Sequence, residues 1–145
     1  MKILDTNAVN YIFKNNIEVE DVYYITPDLK EESEITEAVF NKKLSSKIKE
    51  ISNEDFFNKP IYLEKYKDML NKHSGRSFYN MTGFGDISIL ALLKSFEAES
   101  KNHIQECLFG VNNEVGVFTG DPPLIKKIEK EFGQKVKIYR NVDIK

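Results

Sequence analysis

Val115-Gly116-Val117-Phe118-Thr119-Gly120-Asp121-Pro122-Pro123-Leu124-Ile125 is the stretch that decides the fold. Val115 to Phe118 is an apolar run of strand type, closed by the turn residues Thr119, Gly120 and Asp121. Two prolines then set the first turn of a helix, and Leu124, Ile125, Ile128 and Phe132 mark its apolar face until Gly133 stops it. A strand that passes through an acidic turn straight into an amphipathic helix is one unit of a parallel α/β sheet.

The unit recurs along the chain. Lys2-Ile3-Leu4 ends at Asp5, and Val22-Tyr23-Tyr24-Ile25 ends at Thr26-Pro27, a helix N-cap with proline at the first helical position, so an acidic helix follows from Asp28. Val136 to Tyr139 is the last strand. Between these units, residues 36 to 51 carry Ala38, Val39, Leu44, Ile48 and Ile51 at near-helical spacing and predict a second amphipathic helix. Pro60-Ile61-Tyr62-Leu63 reads as a short edge strand, and Glu64 to Lys72 as a helix with Tyr66, Met69 and Leu70 on one face. Asp86 opens the most apolar segment, Ile87 to Leu93 and on through Phe96 toward Leu108, which predicts the central buried helix. The expected architecture is a single domain over residues 1–145, three layers α/β/α, with a mostly parallel sheet of four or five strands.

Composition narrows the class. With 145 residues, 41% of them hydrophobic, the chain has enough apolar material for a sizeable core and too much for a disordered segment. Its one cysteine, Cys107, and two separated histidines, His73 and His103, argue against a disulfide framework or a Cys-rich zinc site. The start Met1-Lys2-Ile3-Leu4-Asp5 carries no apolar signal region, and no apolar run approaches the roughly 20 residues of a membrane span. A cytoplasmic chain is the expectation.

Net charge is −2, but its distribution is uneven. Residues 1–41 hold nine acids against three bases, residues 42–82 nine bases against five acids, and the remainder nine of each. Such asymmetry predicts an acidic region and a basic rim rather than a uniform surface.

Three acids stand at corresponding places: Asp5 and Asp121 at strand ends, Asp86 at the start of the buried helix. Glu32, three residues after Leu29 on the acidic helix, borders the same edge. In open α/β sheets ligands bind outside the carboxyl ends of the strands, where the strand order reverses. Carboxylates packed together repel unless a cation sits among them, and an all-oxygen set suits Mg²⁺ or Mn²⁺. Each acid also has a local role open to it: Asp5 as cap of the first helix, Asp86 as a helix N-cap, Asp121 in an Asx turn, Glu32 as a solvated helix residue.

These stretches, in this order, resemble the PIN-domain ribonucleases across nearly the whole chain. Ile3-Leu4-Asp5-Thr6-Asn7 is similar to the family's opening motif; Tyr24 to Glu32 resembles its second strand, turn and Glu-bearing helix. Gly85-Asp86-Ile87-Ser88-Ile89-Leu90-Ala91-Leu92 resembles its Asp-led apolar helix, and Val117-Phe118-Thr119-Gly120-Asp121 its Thr-x-Asp strand end. The resemblance implies a PIN-like nuclease domain in which Asp5, Glu32, Asp86 and Asp121 hold one or two Mg²⁺ or Mn²⁺ ions and cleave RNA to leave a 5′-phosphate. Asn7 and Thr119 would organise the site. Ser33 stands where the family usually has an apolar residue, so Glu31 and Glu34 stay open as the second ligand. The spacing from Asp86 to Asp121 is longer than in compact toxin-like members, and residues 41–82 match no family motif. Within the loop Asn71 to Arg76, Lys72 and Arg76 are the candidates for contacting RNA phosphates, and Phe78 and Tyr79 for stacking on unpaired bases. The alternatives are a PIN-like scaffold that binds RNA or a protein without cleaving, and the toxin of a toxin–antitoxin pair. These leave room for a small protein inhibitor or antitoxin and for a homodimer.

Overall fold

Strands of three or four residues persist only where both their faces are covered, and here Ile3, Leu4, Tyr23, Ile25 and Val117 expose no surface at all. The computed structural model describes residues 1–32, 46–51, 60–72, 83–101 and 114–145, with backbone only for 30–32 and 99–101. In chain order the elements are β1 (Lys2–Leu4), α1 (Thr6–Lys14), β2 (Tyr23–Ile25), α2 (Pro27–Glu32), β3 (Ile48–Glu50), α3 (Pro60–Lys72), α4 (Phe84–Lys101), β4 (Val115–Phe118), α5 (Pro122–Phe132) and β5 (Val136–Tyr139). Short 3-10 turns at Gly133–Lys135 and Asn141–Asp143 flank β5.

The five strands are all parallel, in the order β3-β2-β1-β4-β5. From β1 the chain steps outward through β2 to β3, then returns across the sheet to β4 and β5. With right-handed crossovers, the two directions place their connecting helices on opposite faces, giving a three-layer α/β/α fold. The strand order reverses between β1 and β4, which pair with Ile3 opposite Val117 and Leu4 opposite Phe118.

Local sequence sets most of these elements. Pro122 and Pro123 open α5, Leu124, Ile128 and Phe132 form its buried face, and Gly133, at φ +57°, ends it in a backbone conformation that suits glycine. Helix α4 is buried at every position from Ile87 to Leu93, as expected of a central helix. Burying each of those large side chains contributes about 1.5–3 kcal/mol. No helix among the described residues is long and apolar enough to cross a membrane.

Two expectations are overturned. Ile48–Glu50 is a strand, not the end of a helix over 36–51; residues 36–45 lie outside the described part. Ile48 and Ile51 are both buried at a spacing that fits a helix as well as a strand end, and the open edge of β2 decided the outcome. Tyr23 N–H donates to the Lys47 carbonyl at 2.9 Å and Ile51 N–H to that of Ile25 at 2.9 Å, which fixes the pairing. Pro60–Leu63 is the first turn of α3 rather than an edge strand. Proline at the first helical position is favourable, and buried Tyr62 continues the stripe of Tyr66, Met69 and Leu70.

One buried polar chain joins the starts of α2 and α4. Ser88 donates to the Gly85 carbonyl at 2.6 Å, so its oxygen accepts the Thr26 hydroxyl proton at 2.6 Å, while Thr26 accepts from the Leu29 N–H at 3.3 Å. Neither side chain is exposed. Ser88→Ala leaves the buried Thr26 hydroxyl without its acceptor and lowers unfolding free energy by about 1–3 kcal/mol. Denaturant titration measures it; a change under half a kilocalorie contradicts the bonding order.

Candidate functional site

Asp5 follows the last residue of β1, so its side chain stands at the carboxyl edge of the sheet, beside β4 where the strand order reverses. It is the N-cap of α1: one carboxylate oxygen accepts from the Ala8 N–H at 2.6 Å. The expected capping role is therefore real, but it occupies only one oxygen. The other accepts the hydroxyl proton of Thr119, and Thr119 in turn accepts the Asp121 N–H at 3.0 Å. A single hydroxyl thus ties the acid ending β1 to the backbone of the acid following β4.

Asp5 is 2% exposed. Burial pushes its carboxyl up to about 6, with the Asp121 charge adding to the rise, while hydrogen bonds from Thr119 and from the Ala8 and Asn7 N–H groups oppose it. The site holds a carboxylate at an energetic disadvantage that a nearby cation would relieve.

Asp121 is the N-cap residue of α5, yet its side chain makes no capping hydrogen bond. Asp86 sits in the first turn of α4, which begins at Phe84, so it is not the N-cap that its sequence position allowed. Lys127 of α5 lies in the fields of both: Asp86 and Asp121 favour its charged form, while burial, the larger effect, lowers its pKa. Asp5, Asp86 and Asp121 therefore belong to one electrostatic neighbourhood, linked by Thr119 on one side and Lys127 on the other. Among the described residues, no three His, Cys, Asp or Glu side chains stand close enough to hold one metal ion together. Glu32 ends α2; its side chain and that of Glu31 lie outside the described part, as does Glu34.

Asn7 accepts from Asn141 at 2.6 Å, joining the first turn of α1 to the 3-10 turn after β5. Gly120 fits beneath this pair: a Cβ there would lie 2.9 Å from the Asn7 oxygen and 3.0 Å from the Asn141 nitrogen.

Lys72 does not join the acids. It pairs with Glu131 near the far end of α5, about 15 Å along the helix from Asp121 at 1.5 Å per residue. Glu131 also meets Lys94 at 3.4 Å, and Glu97 meets Lys94 at 3.6 Å and Lys135 at 3.4 Å, so Lys72 belongs to an ion-pair network at the opposite edge of the sheet. Arg76, Phe78 and Tyr79 lie outside the described residues. Among the described residues, two cations lie on the side of these acids: Lys127, in the fields of Asp86 and Asp121, and exposed Arg140, immediately after β5. Neither was visible as a site residue in the sequence. For Arg140 the available signal was its place after a strand, equivalent to that of Asp5.

The chain matches no family model, and no curated protein is significantly similar to it. The donor chemistry of the edge fits a hard divalent cation: the candidate ligands are all oxygen, and one of them is a buried carboxylate already oriented by three donors.

Proposed function

We propose that this chain is a metal-dependent endoribonuclease of PIN-like type, with its active site at the carboxyl edge of the sheet between β1 and β4. The observation that carries this reading is the junction of Asp5, Thr119 and Asp121, where two strand-end acids meet at the point of strand reversal with Asp86 in the same field. The resemblance of the four acid-bearing stretches to PIN-domain ribonucleases supplies the reaction class.

Asp5, Asp86 and Asp121, with Glu32, would hold Mg²⁺ or Mn²⁺. When bound, such an ion would supply an activated water for attack at phosphorus and stabilisation of the departing 3′ oxygen. The chain's own residues do the rest. Thr119 fixes the rotamer of Asp5 and so aims its free lone pairs; Asp121 keeps its carboxylate uncommitted to α5; Asn7, bonded to Asn141, holds the entry of α1 against the end of β5. Arg140 replaces Lys72 as the candidate for holding a neighbouring phosphate, a contact that positions RNA without reading its sequence. RNA is the proposed substrate, in the cytoplasm, and a small inhibitor protein covering this edge is a compatible partner.

End-labelled single-stranded RNA incubated with the full chain and Mn²⁺ is expected to yield fragments bearing 5′-phosphates, and excess chelator is expected to stop cleavage. Cleavage undiminished by chelator would overturn the metal dependence. No cleavage despite Mn²⁺ binding would favour a scaffold.

A further inference from the structure

Helices α4 and α5 are joined by a charged seam that extends beyond the proposed ligands. Lys94 of α4 meets Glu131 of α5 at 3.4 Å, and because α4 precedes and α5 follows β4 in an all-parallel sheet, the two helices run in the same direction, away from the carboxyl edge. Measured back from Lys94 and Glu131 at 1.5 Å per residue, Asp86 lies about 12 Å and Lys127 about 6 Å nearer that edge. Long side chains on a helix lean toward its N-terminus, so the Lys127 side chain reaches up the seam toward Asp86 and the Asp121 that begins α5. Lys127 follows the buried Leu124 by three residues, which places it, partly buried, at the border of the packed face.

Resting on the metal reading above, we propose that the Lys127 ammonium is the chain's own counter-cation for Asp86 and Asp121, and that a divalent ion taken up at this edge competes with it. Lys127 is then a positioning residue that sets how tightly the edge holds metal. It keeps two acids from repelling each other, and it weakens the binding of a second positive charge among them.

Calorimetric titration of Mn²⁺ into the full-length native chain, Lys127→Met and Lys127→Arg at pH 7.5 tests this, with thermal unfolding in chelator as a second readout. Removing the charge is expected to tighten Mn²⁺ binding roughly tenfold or more, which a unit charge a few ångströms from a divalent ion reaches even at the full screening of water. In chelator the variant is expected to unfold no lower than the native chain, because burial of the Lys127 charge outweighs its attraction to the two acids. The Arg variant is expected to stay near native in both. Should the Met variant not fold, Lys127→Gln takes its place. Native-like or weaker Mn²⁺ affinity without the charge, or equal tightening by Arg, overturns the role of Lys127 and leaves the metal reading standing. Binding by the uncharged variant alone supports the role. No binding by any form at millimolar Mn²⁺ overturns both.

Discussion

Asp5→Asn is expected to reduce Mn²⁺-dependent RNA cleavage roughly a thousandfold or more, since it removes a ligand charge at the reacting centre. The same substitution is expected to stabilise the chain at neutral pH. Asp5 titrates near 6 in the folded chain and at an ordinary carboxylate value when unfolded. Between about pH 4 and 6 the folded chain therefore holds a proton that the unfolded chain has released, and stability falls as pH rises through that window. Above it, the buried charge costs up to about 3 kcal/mol, from a shift of about two units. Asparagine carries no charge, so the variant's stability should be flatter over that range and higher at pH 7. Mn²⁺ competes with the Asp5 proton, so the stabilisation it gives the native chain should grow from pH 5 to 7. Cleavage assays and chemical denaturation at several pH values check these outcomes. Equal cleavage by native and variant would remove Asp5 from the chemistry.

Thr119→Val has the second large expected effect. The side chain is 1% exposed and its single hydroxyl serves two partners, accepting from the Asp121 N–H and donating to Asp5. Valine keeps the shape and removes both bonds, which strands the buried Asp5 oxygen and leaves the partly buried Asp121 N–H without its acceptor, at a cost of roughly 1–3 kcal/mol. The Thr119 hydrogen bond also holds the Asp5 pKa down, so without it Asp5 keeps its proton to higher pH. The pH at which Mn²⁺ begins to stabilise the chain should rise accordingly. Thr119→Ser keeps the hydroxyl and should behave close to native on both readouts. A valine variant with native stability and an unmoved Mn²⁺ pH profile would contradict the relay.

Much of this arrangement is legible in sequence wherever local signals agree. Asp5 after Ile3 and Leu4, Pro27 after Thr26, and Pro122 after Asp121 each mark a strand passing into a helix, and all three became that unit. The misreadings occur where one short apolar run suits two periods. Ile48 and Ile51 fit a helix until the edge of β2 is considered, and Pro60 opens either a strand or a helix. Lys72 fails for a different reason: closeness in sequence to Asp86 is not closeness in space. Helix α3 starts with Tyr62 in the field of Asp28 and, over 13 residues, carries Lys72 to Glu131 at the other edge. Ser88 and Lys127 depend on tertiary contacts between elements far apart in the chain, and no local pattern marks either.

The most direct test is diffraction from crystals of the full chain soaked in millimolar Mn²⁺, with data collected at the manganese absorption edge. The account predicts an anomalous peak at the carboxyl edge of the sheet, bonded to carboxylate oxygens of Asp5 and Asp121 at about 2.1 Å, with Asp86 and one of Glu31, Glu32 and Glu34 completing the oxygen set. An intact edge in the same crystals, with Asp5 still bonded to Thr119 and no anomalous peak beside it, would contradict it.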